Sequence, residues 1–119
     1  MISPATWLAA FVATFAVEAP VVLALTRASE TSAPRRLALV LFAQLATHPL
    51  VWYVFPYIVG LRGSTATLLS EAWAWLGEAA LYALAMRDVT FARALGVSAV
   101  ANGASVLAGL VLRASRVIV

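Results

Sequence analysis

Three glutamates and one histidine, Glu18, His48, Glu71 and Glu78, stand inside long apolar runs of a 119-residue chain, beside Gln44, Ser98, Asn102 and Ser105. A charge at the centre of a membrane helix costs about 2.5–3.5 kcal/mol on insertion scales, so such groups are kept for a purpose or paired with one another. Carboxylates and imidazole are donors that suit Zn²⁺ or Mn²⁺. Glu18, His48 and Glu78 are therefore the candidate metal set, with Glu71 and Asn102 adjoining and Gln44, Ser98 and Ser105 in support. A carboxyl in a dry bundle is equally a candidate proton carrier. The spacing offers no HExxH and no ExxH, and there is no cysteine, so thiolate sites and disulfides are excluded.

The elements that must position these groups are set by composition. Hydrophobic residues make up 64% of the chain and charged residues 11%. About a quarter of the residues of a soluble domain are charged, so the natural solvent of this chain is lipid. Four runs approach the roughly 20 apolar residues a spanning helix needs: Ala5–Thr26, Arg35–Leu61, Thr65–Met86 and Thr90–Leu112. The first reads as a retained helix, because no cation precedes it and Glu18 interrupts it. Short breaks join the runs. In the first, Ser32 can cap the second helix with Pro34 in its first turn; in the second, Arg62-Gly63-Ser64 makes a turn with Ser64 as cap; in the third, Asp88 is the N-cap. Loops this short make sequential helices antiparallel neighbours. The expected fold is all-α: one antiparallel four-helix transmembrane bundle. No internal repeat stands out.

Depth and facing bring the polar groups together. At about 1.5 Å per residue, Glu18 and Glu78 lie on the order of 12 Å from the end that carries the first and third loops. Gln44 and Ser98 reach the same level, with His48 and Asn102 one turn beyond. Glu71 and Glu78 are seven apart, Gln44 and His48 four apart, and Ser98, Asn102, Ser105 and Gly109 form one stripe. Each helix thus has one polar face, which lipid turns inward, and the small-residue stripe predicts close packing at Gly109. Pro20 and Pro49 leave the carbonyls of Ala16 and Leu45 without their helical donors, and Pro56 does the same for Trp52.

All eight cations are arginines, placed at helix ends, so the net charge of +3 points to lipid phosphate and not to nucleic acid. Five of them, Arg27, Arg35, Arg36, Arg87 and Arg93, fall on the side of the first and third loops, which puts both termini away from the cytoplasm. The arginine, alanine and leucine usage suggests a bacterial inner membrane. The leading expectation is a cation or proton site serving transport or ion coupling in a homo-oligomer or with a membrane partner. A metal-assisted or glutamate-type intramembrane hydrolase is the alternative, and a non-catalytic subunit of a larger complex a third. In length, helix count and an acid in the first helix the chain resembles the architecture of small multidrug-resistance exporters, although its other acids and its histidine depart from their pattern. The set of Glu, His and Asn resembles the chemistry of glutamate-type intramembrane CAAX proteases, without their paired-Glu motif or second histidine.

Overall fold

The computed structural model describes residues 3–57 and 63–115. Four helices follow one another: α1 (Pro4–Leu25), α2 (Ala33–Tyr53), α3 (Gly63–Ala85) and α4 (Phe91–Ala114), and no strand occurs among the described residues. Each start has a local cause. Ser3 accepts from the Thr6 N–H at 3.1 Å, with Pro4 in the first turn. Ser32 caps α2 as expected, with Pro34 behind it. The capping of α4 differs from expectation: the Thr90 hydroxyl accepts from the Arg93 N–H at 3.2 Å, and Asp88 turns elsewhere. α3 is described from Gly63, whose φ of +54° suits a residue without a Cβ, so Ser64 lies within the helix and is not its cap; Arg62 lies outside the described residues.

α2 is shorter than the sequence suggests. It ends at Tyr53, and Phe55–Tyr57 forms a separate 3₁₀ turn closed by Tyr57 N–H to Val54 O at 3.0 Å. Pro56 has no N–H to continue the ladder and its ring would clash with the carbonyl four residues back. It therefore ends the helix instead of kinking it. Pro20 and Pro49 are carried inside α1 and α2.

The helices form a square. α1 packs on α2 and α4, and α3 packs on α2 and α4, while the diagonal pairs α1–α3 and α2–α4 stay apart along the backbone. Two connections meet at one end. The Asp88 carboxylate accepts from the Ser29 hydroxyl at 2.8 Å and from the Glu30 N–H at 2.7 Å. Arg93 donates to the Leu25 carbonyl at 3.0 Å. Buried Arg36 donates to Leu23 O, a carbonyl left over at the end of α1, and to Thr31 O and Thr26 Oγ1 of the connection. Between this end and the middle of the bundle lies the apolar core, with Val22, Val40, Tyr82, Met86, Ala94 and Val97 buried.

The outside is apolar and the centre is polar. Leu84 is 81% exposed and Leu68 70%, whereas Glu18 and Glu78 are each 1% exposed. α1 and the stretch Phe91–Leu112 of α4 are long and apolar enough to cross a membrane. α2 carries Arg35, Arg36, Gln44 and His48, and α3 carries Glu71 and Glu78, which lowers their average. The tight packing expected at Gly109 is absent, since a Cβ there would meet nothing within 4 Å. The close approach is at Gly77, where a Cβ would meet Thr47 Cγ2 at 3.4 Å. Gly109 lies about 20° from the face of Ser98, eleven residues on, but at the end of α4 far from the connections, where no neighbouring atom comes within 4 Å of that position.

Gly77→Leu should lower stability by about 1–3 kcal/mol through overpacking against Thr47, and Gly109→Leu should leave it unchanged, as thermal unfolding of the two purified variants will report. Asp88 supplies a pH test. The two hydrogen bonds hold its carboxyl below the ordinary value of 3.8. A depressed folded pKa contributes stability above the unfolded value and loses it as pH falls through the folded value. Asp88→Asn should therefore melt earlier than the parent near neutrality, and the gap between the two should close below about pH 3.8.

Candidate functional site

Every helix contributes one side chain to the centre of the bundle. Glu18 on α1 accepts from Gln44 Nε2 on α2, Oε1 to nitrogen 2.8 Å. Glu78 on α3 accepts from Asn102 Nδ2 on α4, Oε1 to nitrogen 3.1 Å. Both carboxyls and Gln44 are 1% exposed, and Asn102 is 9% exposed. The two carboxyls face each other across the diagonal of the square, close enough to interact directly. A carboxylate only accepts; a bond between two carboxyls needs a proton on one of them. Glu78 Oε2 is buried and receives no hydrogen bond from any described donor. The site is thus two buried carboxyls with a carboxamide on each outer flank.

Serines of α4 complete the surroundings. Asn102 Nδ2 stands 2.9 Å from Ser98 O and 3.1 Å from Ser98 Oγ, and Ser98 in turn donates to Trp75 O at 2.9 Å. Ser105 Oγ donates to Asn102 O at 3.0 Å and lies near the Glu18 carboxyl. Of the residues the sequence proposes, Glu18, Gln44, Glu78, Ser98, Asn102 and Ser105 are therefore gathered into one network.

His48 and Glu71 are placed differently. His48 stands in an aromatic cluster, with ring centroids 5.5 Å from Phe11 and 6.2 Å from both Trp7 and Trp52. Its Nδ1 and the Trp7 Nε1 are buried without hydrogen-bond partners. His48 is 8% exposed. The metal set expected from Glu18, His48 and Glu78 does not assemble, and among the described residues no three His, Asp or Glu side chains form a metal-holding group. The physical reason is the depth difference: one turn beyond Gln44, the imidazole meets the rings of α1 and not the carboxyl pair. Glu71, two turns from Glu78, is half-buried near the pair and makes no hydrogen bond among the described side chains.

Tyr82 extends the stripe of Glu71 and Glu78 in the sequence but is given no role there, and Arg36 is misplaced by its sequence. Tyr82 is 1% exposed and its hydroxyl has no hydrogen-bond partner, beside the carboxyl pair. Its position four after Glu78 was the available signal. Arg36 was read as a surface cation, yet it is 8% exposed. Nothing in its spacing separates it from Arg35. Comparison with protein-family models, curated proteins and solved structures gives no match.

Asn102→Leu should cost about 1–3 kcal/mol, because it leaves a buried carboxyl oxygen without its donor. Thermal unfolding against the parent measures it. A variant as stable as the parent would mean that water replaces the amide.

Proposed function

We propose that this chain is an integral membrane protein whose Glu18–Glu78 pair takes up and releases a proton, in the service of ion coupling or transport. The observation that carries the reading is the pair itself: two carboxyls from diagonal helices, each 1% exposed, facing each other with Glu78 Oε2 buried and without a donor, so that a proton on either carboxyl would supply the missing bond. Protonated, the pair carries one negative charge; deprotonated, it carries two, held close in a medium of low dielectric. Gln44 and Asn102 keep the carboxyls in place in both states by donating from outside.

The membrane placement is supported by the inverted distribution of polarity. Leucines face out and glutamates face in, as expected when lipid and not water surrounds the bundle. Helices of 21–24 residues are roughly 30–36 Å long at about 1.5 Å per residue, close to the ~30 Å hydrocarbon thickness. The end carrying Arg27, Arg35, Arg36, Arg87 and Arg93 then faces the cytoplasm.

The glutamine variants test the site. In Glu78→Gln the amide N–H can donate permanently to the Glu18 carboxylate, so the missing bond is supplied and the need for a proton disappears. Glu18→Gln is the mirror case. Each single variant, and the double, should fold and keep its melting temperature in detergent. Each should lose the titrating carboxyl band that infrared difference spectra detect in the parent, and lose proton flux in liposomes. A parent-like titrating band in the double variant would refute the assignment.

A further inference from the structure

The bundle is made of two α-helical hairpins, α1–α2 and α3–α4, and their buried positions coincide from the level of the carboxyls to the connections. Shifting by 60 residues carries Glu18 onto Glu78, Ala19 onto Ala79 and Arg27 onto Arg87. The buried positions of α1 from there onward, at Glu18, Ala19 and Val22, fall on buried Glu78, Ala79 and Tyr82, and buried Thr26 falls on buried Met86. In the second helix of each hairpin the shift becomes 58. It carries the cap Ser32 onto the cap Thr90, Arg35 onto Arg93, Leu37 onto Leu95, Ala43 onto Ala101, and Gln44 onto Asn102. The change from 60 to 58 equals the difference between the two connections. Seven residues separate α1 from α2 (26 to 32) and five separate α3 from α4 (86 to 90).

The contacts repeat as the residues do. Gln44 donates to Glu18 within the first hairpin, and Asn102 donates to Glu78 within the second. Between hairpins, α2 lies on α3 and α4 lies on α1, the arrangement that a two-fold rotation produces. The sequence did not display this repeat because few positions are identical; it lies in burial and hydrogen-bonding role.

We propose that the chain is two tandem copies of one hairpin half-site, and that the proton shared by Glu18 and Glu78 on the pseudo-two-fold axis is the clamp that joins the copies. The inference rests on the proton-binding reading above and adds what the proton does. Hydrogen bonds between the hairpins fall at two levels. One is the connection end, where Asp88 holds Ser29 and Glu30 and Arg93 holds Leu25 O. The other is the level of the two carboxyls, where a proton on either one would supply the bond that buried Glu78 Oε2 lacks. From the pair toward the opposite end, no hydrogen bond joins the hairpins among the described residues. The buried apolar cluster likewise lies on the connection side of the pair or level with it. The connection end is therefore the hinge. Loss of the proton leaves two carboxylates that repel, with Glu71 and Tyr82 of α3 the other titratable groups facing them, and the hairpins part at the end far from the hinge, where packing is thinnest.

The full chain has no cysteine, so spin labels can be placed without background. A pair at Leu8 and Leu68 spans the two copies near the free end, and a pair at Leu68 and Leu107 lies within the second copy; all three positions are exposed. Double electron–electron resonance in lipid nanodiscs would be recorded from acid to alkaline pH, with infrared titration of the same samples. The expected result is a longer Leu8–Leu68 distance whose population rises with loss of the carboxyl band, an unchanged Leu68–Leu107 distance, and no pH response of either in a Glu18→Gln, Glu78→Gln background. A carboxyl band that titrates while the Leu8–Leu68 distance stays fixed would overturn the clamp and leave the proton site standing. A distance change equal in both label pairs would overturn the division into two rigid copies. Absence of any titrating band in the parent would overturn the proton site and the clamp together.

Discussion

The structure depends on the need to satisfy two buried carboxyls without water. An isolated carboxylate in an apolar interior is unfavourable by several kcal/mol, and every feature of the centre answers that constraint. One helix alone cannot do so. Glu18 needs the amide of Gln44, and Glu78 needs that of Asn102. The polar centre therefore fixes the rotation of all four helices at once. A turn of any helix by one residue, about 100°, would carry its polar group out of the network and leave its partner unmet.

That constraint also explains how the rest of the bundle is distributed. The apolar core is displaced toward the connection end, where Val22, Val40, Met86 and Val97 fill the space between helices. The connection end is tied by Asp88 and Arg93, and the freed Leu23 carbonyl of α1 is taken up by Arg36. At the opposite end the buried side chains include His48, Thr47 and Ser70 with the rings of Trp7 and Phe11 around the imidazole. The ionisable pair thus lies between an end tied by hydrogen bonds and apolar packing and an end held by aromatic and small side chains.

Much of the site was legible before any coordinates, for a simple reason. Helical rise fixes depth, and short connections fix direction, so Glu18, Gln44, Glu78 and Asn102 could be placed at nearly one level by counting residues. Period fixes the polar face of each helix, and an apolar surrounding turns that face inward. Element existence and order followed from the same arithmetic. The end of α2 was misplaced because Pro56 ends the helix where a kink was expected, and a proline inside an apolar run is compatible with either outcome.

What the sequence by itself determined is the class of fold, the level of each polar group and the types of chemistry available, since these depend on period, length and side-chain identity along one chain. What only the tertiary structure decided is partnership. It paired Glu18 with Glu78 across the diagonal, sent His48 to the aromatic rings, buried Arg36 at the end of α1, and placed the close contact at Gly77 instead of Gly109. It also aligned the two hairpins as copies. Each of these depends on the rotation and offset of one helix against another, and those are set by side-chain packing and hydrogen bonds between residues distant in sequence, which no single-helix pattern encodes.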